Sequence, residues 1–294
     1  MPMTMPRSWL YVPADKPDLF MKARAGIADA VLFDLEDAVP AQRKFRARED
    51  LQRFLREDGG SRPEQELWVR ITAESAAEDL AAVVMPGVVG VMQAKASEVV
   101  LRSTAAHLDR LESERLIQLP LAIVALIEDA HALEHLASLA AVDRVATFAV
   151  GEVDLLADLR MTPSPATESA LNAIRSRIVV AAAAAGLLAP VAPTSTAVKD
   201  LATFETTSAV LRDLGFRSRT AIHPSQLAII HAAFTPSAHD VESAGDTVAR
   251  FAAASSGVAV DERGRMIDAA VMRHAEETLA RAADARRRSE GRTG

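Results

Sequence analysis

The chain of 294 residues carries 33 Lys and Arg against 40 Asp and Glu, a formal net charge of -7, with 49% apolar residues and no cysteine. This is an ordinary soluble composition with room for one large domain or a domain and an appendage. It excludes disulfides, thiolate metal sites and a cysteine nucleophile, and it argues against nonspecific nucleic-acid binding while leaving room for a small anion on a local basic patch. The stretch MPMTMPRSWLYVPAD has no long apolar core before a cleavage-like site, and the apolar tracts are too short or too interrupted to span a bilayer. A cytoplasmic location with no membrane partner is the default expectation.

In chain order, SWLYVP (8–13) reads as a first strand, and Pro17 suits the first turn of a helix that ends at Gly26. AVLFDL is a second strand, followed by an arginine-rich helix over about 42–57 and the breaker run DGGSRPE. LWVRI (67–71) is a third strand with Arg70 at its far end, SAAEDLAAVVM a helix, and GVVGVMQAK (87–95) a fourth strand ending near Lys95. A long helix over 97–113 precedes a fifth strand, LPLAIVALIED (119–129), which carries Glu128 at its end. HALEHLASLAAV is a helix, and RVATFAVGEVDL (144–155) a sixth strand running into Asp154. A helix over 168–185 stops at Gly186, LLAPVAP is a weak proline-interrupted seventh strand, VKDLATFETTSAVLRDLG a helix, RTAI an eighth strand and PSQLAIIHAAF a closing helix.

These strands are solid apolar runs joined by helices, the pattern of parallel strands covered on the outside. Eight such units predict a closed (β/α)8 TIM barrel over residues 1–236, whose site lies at the carboxyl ends of the strands. An open doubly wound sheet is the competing architecture, without a GxGxxG after the first strand or a GxxxxGK[ST] to favour it. Residues 237–294 form a C-terminal extension with a helix over 240–254, a turn or short hairpin in SSGVAVDERGRMID and a charged final helix. It packs back on its own barrel or reaches a neighbouring subunit.

Asp34, Glu36 and Asp37 fall at the end of the second strand or just past it. Acids this close in a buried rim raise one another's proton affinity unless a divalent cation or an arginine compensates; alternatively Glu36 and Asp37 cap the next helix. Arg70 is placed to clamp a carboxylate bidentately, or to pair with the second-strand acids as structural glue. Glu128 and Asp154, one β/α unit apart, could offer oxygens to one hard cation, for which Mg²⁺ is suited; otherwise Glu128 caps a helix and Asp154 ends a turn. His131 and His135 lie on one face of an outer helix without a third ligand, and His223 either faces the cavity or fixes the turn at Pro224.

RSWLYVPADKPDLFMKARAGIADAVLFDLEDAVPAQRKFRARE resembles the opening of the citrate lyase beta subunit and of the malyl-CoA and citramalyl-CoA lyases, of the HpcH/HpaI aldolase-like superfamily. VRI, LIED, GEVDLLADL and LGFRSRTAIHPSQLAIIHAAFTP agree in order, and GRMIDAAVMRHAEETLARA (264–282) resembles the family's C-terminal lid. The resemblance implies a barrel assembled as a trimer or hexamer that makes or breaks a carbon–carbon bond beside a CoA thioester, with Mg²⁺ held at Glu128 and Asp154. It implies that Arg70 contacts a small 2-oxoacid and that Asp37 helps hold that arginine. Asp268 would be the lid aspartate that a neighbouring subunit places over the site to move a proton at the acyl-CoA carbon. For the CoA phosphates, the nearby cations are Lys16, Lys22, Arg24, Arg43 and Lys44.

Departures from the family pattern are Ala14 for a glycine, Thr72 for an asparagine, Ala94 for a proline before Lys95, and Val191 or a proline where the seventh strand usually has an aspartate. They bear on the substrate and on CoA binding, not on the metal positions. The expected function is a free-standing CoA-ester lyase or synthase acting on a 3-hydroxyacyl-CoA of the malyl-CoA or citramalyl-CoA type. The alternatives are the beta subunit of a multicomponent citrate lyase working on a carrier-bound thioester, and a barrel that binds oxoacid or CoA without turnover.

Overall fold

The computed structural model describes residues 5–58, 62, 64–254, 259–260 and 264–291. They divide into two compact units, Met5–Ala233 and the chain from Phe234 onward.

The first unit is a closed barrel of eight strands in sequence order. These are β1 (Ser8–Pro13), β2 (Ala30–Asp34), β3 (Glu66–Ile71), β4 (Val88–Gln93), β5 (Ala122–Ile127), β6 (Val145–Val150), β7 (Val191–Ala192) and β8 (Ser218–Ala221). Every neighbouring pair is parallel, including β1 with β8, which closes the ring. The helices of this unit are α1 (Phe20–Arg24), α2 (Lys44–Asp58), α3 (Ala76–Val83), α4 (Glu98–Arg115), α5 (Ala130–Glu134), α6 (Leu136–Ala140), α7 (Glu152–Asp158), α8 (Glu168–Ala184), α9 (Leu201–Asp213) and α10 (Leu227–Phe234). All five residues of β2 are buried, as strands shielded on both faces require.

The barrel interior is filled by Trp9, Leu32, Trp68, Met92, Val124 and Leu126, with the two indole rings 4.8 Å apart. Bulk on β3 needs a gap on β4. A Cβ at Gly90 would lie 2.4 Å from the Trp68 ring and 2.3 Å from the Ala122 carbonyl oxygen, so glycine is what lets the indole pack there.

Four expectations are corrected. The sixth strand stops at Val150, and Glu152–Asp158 is helical, so Asp154 stands in the first turn of α7 and not on a strand. Gly151 breaks the extended run, and acids in a first turn suit the helix's positive end. The single helix expected over 131–142 is two short ones, separated at His135 (φ -108°, ψ 20°). Strand β7 is only two residues long because Pro190 and Pro193 flank it and proline has no N–H for the ladder. Arg24, expected at the CoA rim, is 2% exposed and lies at the amino end of the barrel. It donates to Asp58 (2.9 and 2.8 Å) and to the side chain and backbone oxygens of Gln65, which precedes β3 (2.9 and 3.0 Å). A helix returning from the carboxyl end carries its last residue to the opposite end, so Lys16 and Arg24 are separated by the element between them. Most of the breaker run DGGSRPE lies outside the described residues.

In the second unit, α11 (Ala238–Ala253) opens on a reciprocal cap in which Ser237 and Asp240 each accept the other's backbone N–H. Strands β9 (Ala259–Val260) and β10 (Met266–Ile267) pair antiparallel, giving the expected hairpin, although residues 261–263 of its turn lie outside the described residues. Helix α12 (Ala269–Glu290) packs against α11. Near its end Asp284 accepts from Arg288 (2.8 Å) and Arg287. Among the described residues no helix is long and apolar enough to cross a membrane.

Gly90→Ala will force either a backbone carbonyl or an indole to move and will lower the unfolding free energy by about 1–3 kcal/mol. Urea denaturation of the two proteins measures it.

Candidate active site

Strands β2 and β3 run in register so that Asp34 lies beside Arg70, both at the carboxyl end. The guanidinium is held from two sides. Nε donates to Asp34 Oδ1 at 2.7 Å and Nη2 to Asp34 Oδ2 at 2.5 Å, while Nη1 lies 3.0 Å from Glu36 Oε2. Asp37 is the outer member, 3.8 Å from Nη1 with a side chain 66% exposed. Asp34 also accepts the backbone N–H groups of Glu36 (2.8 Å) and Ala38 (3.3 Å), so one buried carboxylate fixes both the arginine and the turn after its own strand. Lys44 completes that turn by donating to the carbonyl oxygens of Leu35 (2.6 Å) and Glu36 (3.0 Å).

Burial, the largest single influence, works against the charge of Arg70, but the bonds to Asp34 together with the electrostatic influence of Tyr11, Asp34 and Glu36 hold the guanidinium above its ordinary range. Burial raises the Glu36 carboxyl to about 7, helped by its bond with Asp37 and opposed by Arg70. Three of the five guanidinium N–H groups are engaged by the acids, leaving others to meet a ligand.

Glu128 follows β5 and is 7% exposed. Its Oε1 accepts the Lys95 backbone N–H at 2.5 Å, and Lys95 takes a left-handed conformation (φ 50°) to aim that N–H. Asp129, not Glu128, caps α5 by accepting the Ala132 N–H at 2.7 Å. Across the gap stands Gly151, where a Cβ would lie 2.6 Å from the Glu128 Cβ and 3.0 Å from its Oε2. Burial raises Glu128 to about 7; Lys95 and Arg70 oppose the rise, and Asp154 and Asp37 add to it through space.

These residues fit a hard divalent cation. Glu128 is a buried carboxylate made more basic both by its desolvation and by a second acid, Asp154, on the next β/α unit, and a cation between them removes both penalties. Among the described residues no three His, Cys, Asp or Glu side chains form a ready metal cage. Mg²⁺ is commonly held by one or two carboxylates, with water and substrate supplying the remaining oxygens.

The other expected residues are more dispersed. Lys16 is exposed past β1. Arg43 is 61% exposed at its side chain and donates to Asp15 Oδ2 at 3.0 Å, and Lys22 on α1 lies 3.9 Å from Asp18. Asp268, in the second unit, caps α12: its Oδ1 accepts the N–H groups of Ala270 (2.9 Å) and Val271 (3.0 Å), which hold its carboxyl below the usual range. His223 Nδ1 accepts the Ser225 N–H at 3.2 Å and fixes the turn at Pro224. Asp34 was legible only as one of three acids, and its strand register with Arg70 singles it out. Lys95 was legible as a strand-end residue and Gly151 only as part of the sixth strand, and nothing in their sequence spacing points to Glu128.

Residues 7–224 match the family model described as HpcH/HpaI aldolase/citrate lyase. The chain belongs to that family. It is 33% identical over 287 residues to a citrate lyase subunit beta-like protein of Mycobacterium tuberculosis, covering 94% of this chain and 96% of the relative. It is 32% identical over 280 residues to a (3S)-malyl-CoA thioesterase of Cereibacter sphaeroides, covering 94% of each. Among solved structures it resembles the CitE protein of M. tuberculosis in complex with magnesium, acetoacetate and coenzyme A. That match has a TM-score of 0.73 and 30% identity, and covers 94% of this chain and 98% of the other.

A raised carboxyl makes stability depend on pH. The folded protein holds the Glu36 proton up to about 7, against an ordinary 4.5 in the unfolded chain, so its contribution is complete below about 4.5 and lost as pH rises through about 7. Relative to Glu36→Gln, the wild type will lose on the order of 1 kcal/mol between pH 5 and 8, read from urea melts of both proteins at each pH. A constant difference across that range would contradict the environment described for Glu36.

Proposed function

We propose that this family member is a Mg²⁺-dependent carbon–carbon lyase or synthase acting on a 3-hydroxyacyl-CoA thioester, releasing or condensing acetyl-CoA or a similar acyl-CoA with a small 2-oxoacid. The observation that carries the proposal is the pairing of Arg70, held by Asp34 and Glu36, with the two acids Glu128 and Asp154 at the carboxyl ends of neighbouring β/α units. A related protein in the same family binds magnesium together with a small ketoacid and CoA, the three components this chemistry needs.

Glu128 and Asp154 would hold the cation, and Mg²⁺ would supply Lewis-acid polarisation of the oxoacid carbonyl. The protein's own contributions follow from its geometry. Lys95 N–H and the space left by Gly151 orient Glu128. Arg70 is locked in charge and direction by Asp34, and its remaining N–H groups stabilise negative charge on the oxoacid oxygen as the carbon–carbon bond forms or breaks. Asp37, at the outer edge, keeps the arginine's third side acidic. Asp268 exchanges the proton at the acyl-CoA carbon, acting from a neighbouring subunit of a trimer or hexamer; its helix-cap bonds favour the carboxylate, the form that can accept a proton. Lys16, Lys22 and Arg43 are the exposed cations for the CoA phosphates, and Lys44 holds the loop beneath them.

Purified protein with Mg²⁺, acetyl-CoA or propionyl-CoA, and glyoxylate or pyruvate will yield a new acyl-CoA by mass spectrometry. The product will disappear with EDTA and in Glu128→Ala. Free CoA accumulating after condensation would add thioester hydrolysis, the activity for which the C. sphaeroides relative is named. No condensation, cleavage or CoA release by a folded protein that binds Mg²⁺ would move the assignment to a carrier-dependent subunit, like the citrate lyase subunit beta of Escherichia coli to which the chain is 31% identical, or to a binding protein without turnover. Arg70→Lys keeps one charge but loses the planar fork, and will lower kcat by about 100-fold while leaving Mg²⁺ affinity in place, measured by steady-state kinetics alongside calorimetry.

A further inference from the structure

Tyr11 is the one tyrosine of the chain. It sits on β1, in register with Leu32 of β2, and packs on the core inside the barrel. Its ring lies beneath Arg70, 5.1 Å from the guanidinium carbon. Among the described residues its hydroxyl has a single partner, the Met92 thioether at 3.5 Å, which is a weak acceptor. A phenol packed, like this partly buried one, against a core ordinarily finds a better one.

The charges that act on the phenol are Arg70, Asp34, Glu128 and Glu36, the same groups that form the mouth of the site. Burial pushes the phenol well above its usual range, so it keeps its proton and remains a donor. Its surroundings leave that donor little used: among the described residues the hydroxyl bonds only the Met92 thioether, and not Asp34, Glu36 or Glu128, which are engaged by Arg70 and by the Lys95 N–H. A 2-oxoacid brings acceptors only, two carboxylate oxygens and a carbonyl oxygen, into a rim where most other side chains are also acceptors.

We propose that Tyr11 is a substrate-binding residue of the oxoacid pocket, its hydroxyl leaving Met92 to donate a hydrogen bond to an oxygen of the bound 2-oxoacid. This rests on the lyase reading above, and goes beyond it by adding a neutral donor on the floor of the pocket beside the charged one. Phenylalanine fills the same volume, so Tyr11→Phe removes the donor and little else.

Because there is only one tyrosine, uniform labelling with 3-fluorotyrosine gives one ¹⁹F resonance that reports this position in the otherwise unaltered protein. The resonance will shift when pyruvate or glyoxylate is added with Mg²⁺. Tyr11→Phe will bind the same oxoacid about 10- to 100-fold more weakly by calorimetry, with its melting temperature and the acyl-CoA KM nearly unchanged. Equal oxoacid affinity in wild type and Tyr11→Phe overturns the inference whatever the resonance does. A loss of affinity with an unmoved wild-type resonance overturns it too, because the loss is then indirect. If the wild type turns over and only these results fail, the lyase reading stands without Tyr11; if the wild type binds no oxoacid, both fall.

Discussion

The ion pair between Asp34 and Arg70 is the constraint on which the mouth of this barrel depends. The two residues are register partners at the ends of adjacent parallel strands, so the barrel's hydrogen bonding delivers them to one another before any side chain is chosen. Having one of them buried without the other would cost about 3–5 kcal/mol. Asp34 then uses its other lone pairs on the backbone of Glu36 and Ala38, and Lys44 closes the same turn from below. One pair thus fixes a strand end, a loop and the direction of the guanidinium.

The second consequence is electrostatic. Arg70 offsets Asp34 and part of Glu36 but only part of the burial of Glu128, whose proton affinity Asp154 raises further. The protein places a left-handed Lys95 and a side-chain-free Gly151 around Glu128, two local concessions that serve its orientation and not the packing of the barrel. An excess of carboxylate held this firmly is suited to a cation supplied from outside. Together with the arginine it would form, as proposed above, a divided site suited to a cation on one side and offering a fixed donor on the other.

Much of the fold was legible because parallel buried strands leave an unambiguous trace, solid apolar runs such as AVLFD and AIVALI between helical segments. The errors share one origin: apolarity does not reveal where a backbone turns. The run through Phe148 to Val153 hides the break at Gly151, which is why Asp154 was read onto a strand. The prolines around β7 left only a stub of strand for which composition gives almost no signal. Basic residues close in sequence looked like one patch, yet the length of α1 separates Lys16 from Arg24 and buries the latter against Asp58. At the site, the charged residues at strand ends were visible one by one. Which acid holds Arg70 was not, because that depends on register, and register is a property of two strands together.

In the function proposed above, Glu128 and Asp154 share one divalent cation at the barrel mouth. Mn²⁺ in place of Mg²⁺ makes the test direct, because free and bound ion are distinguished by electron paramagnetic resonance without any turnover. One Mn²⁺ per chain is expected in the wild type, competed by Mg²⁺, with at least a tenfold loss of affinity in both Glu128→Gln and Asp154→Asn. Stoichiometric Mn²⁺ binding that survives either substitution undiminished would contradict that sharing.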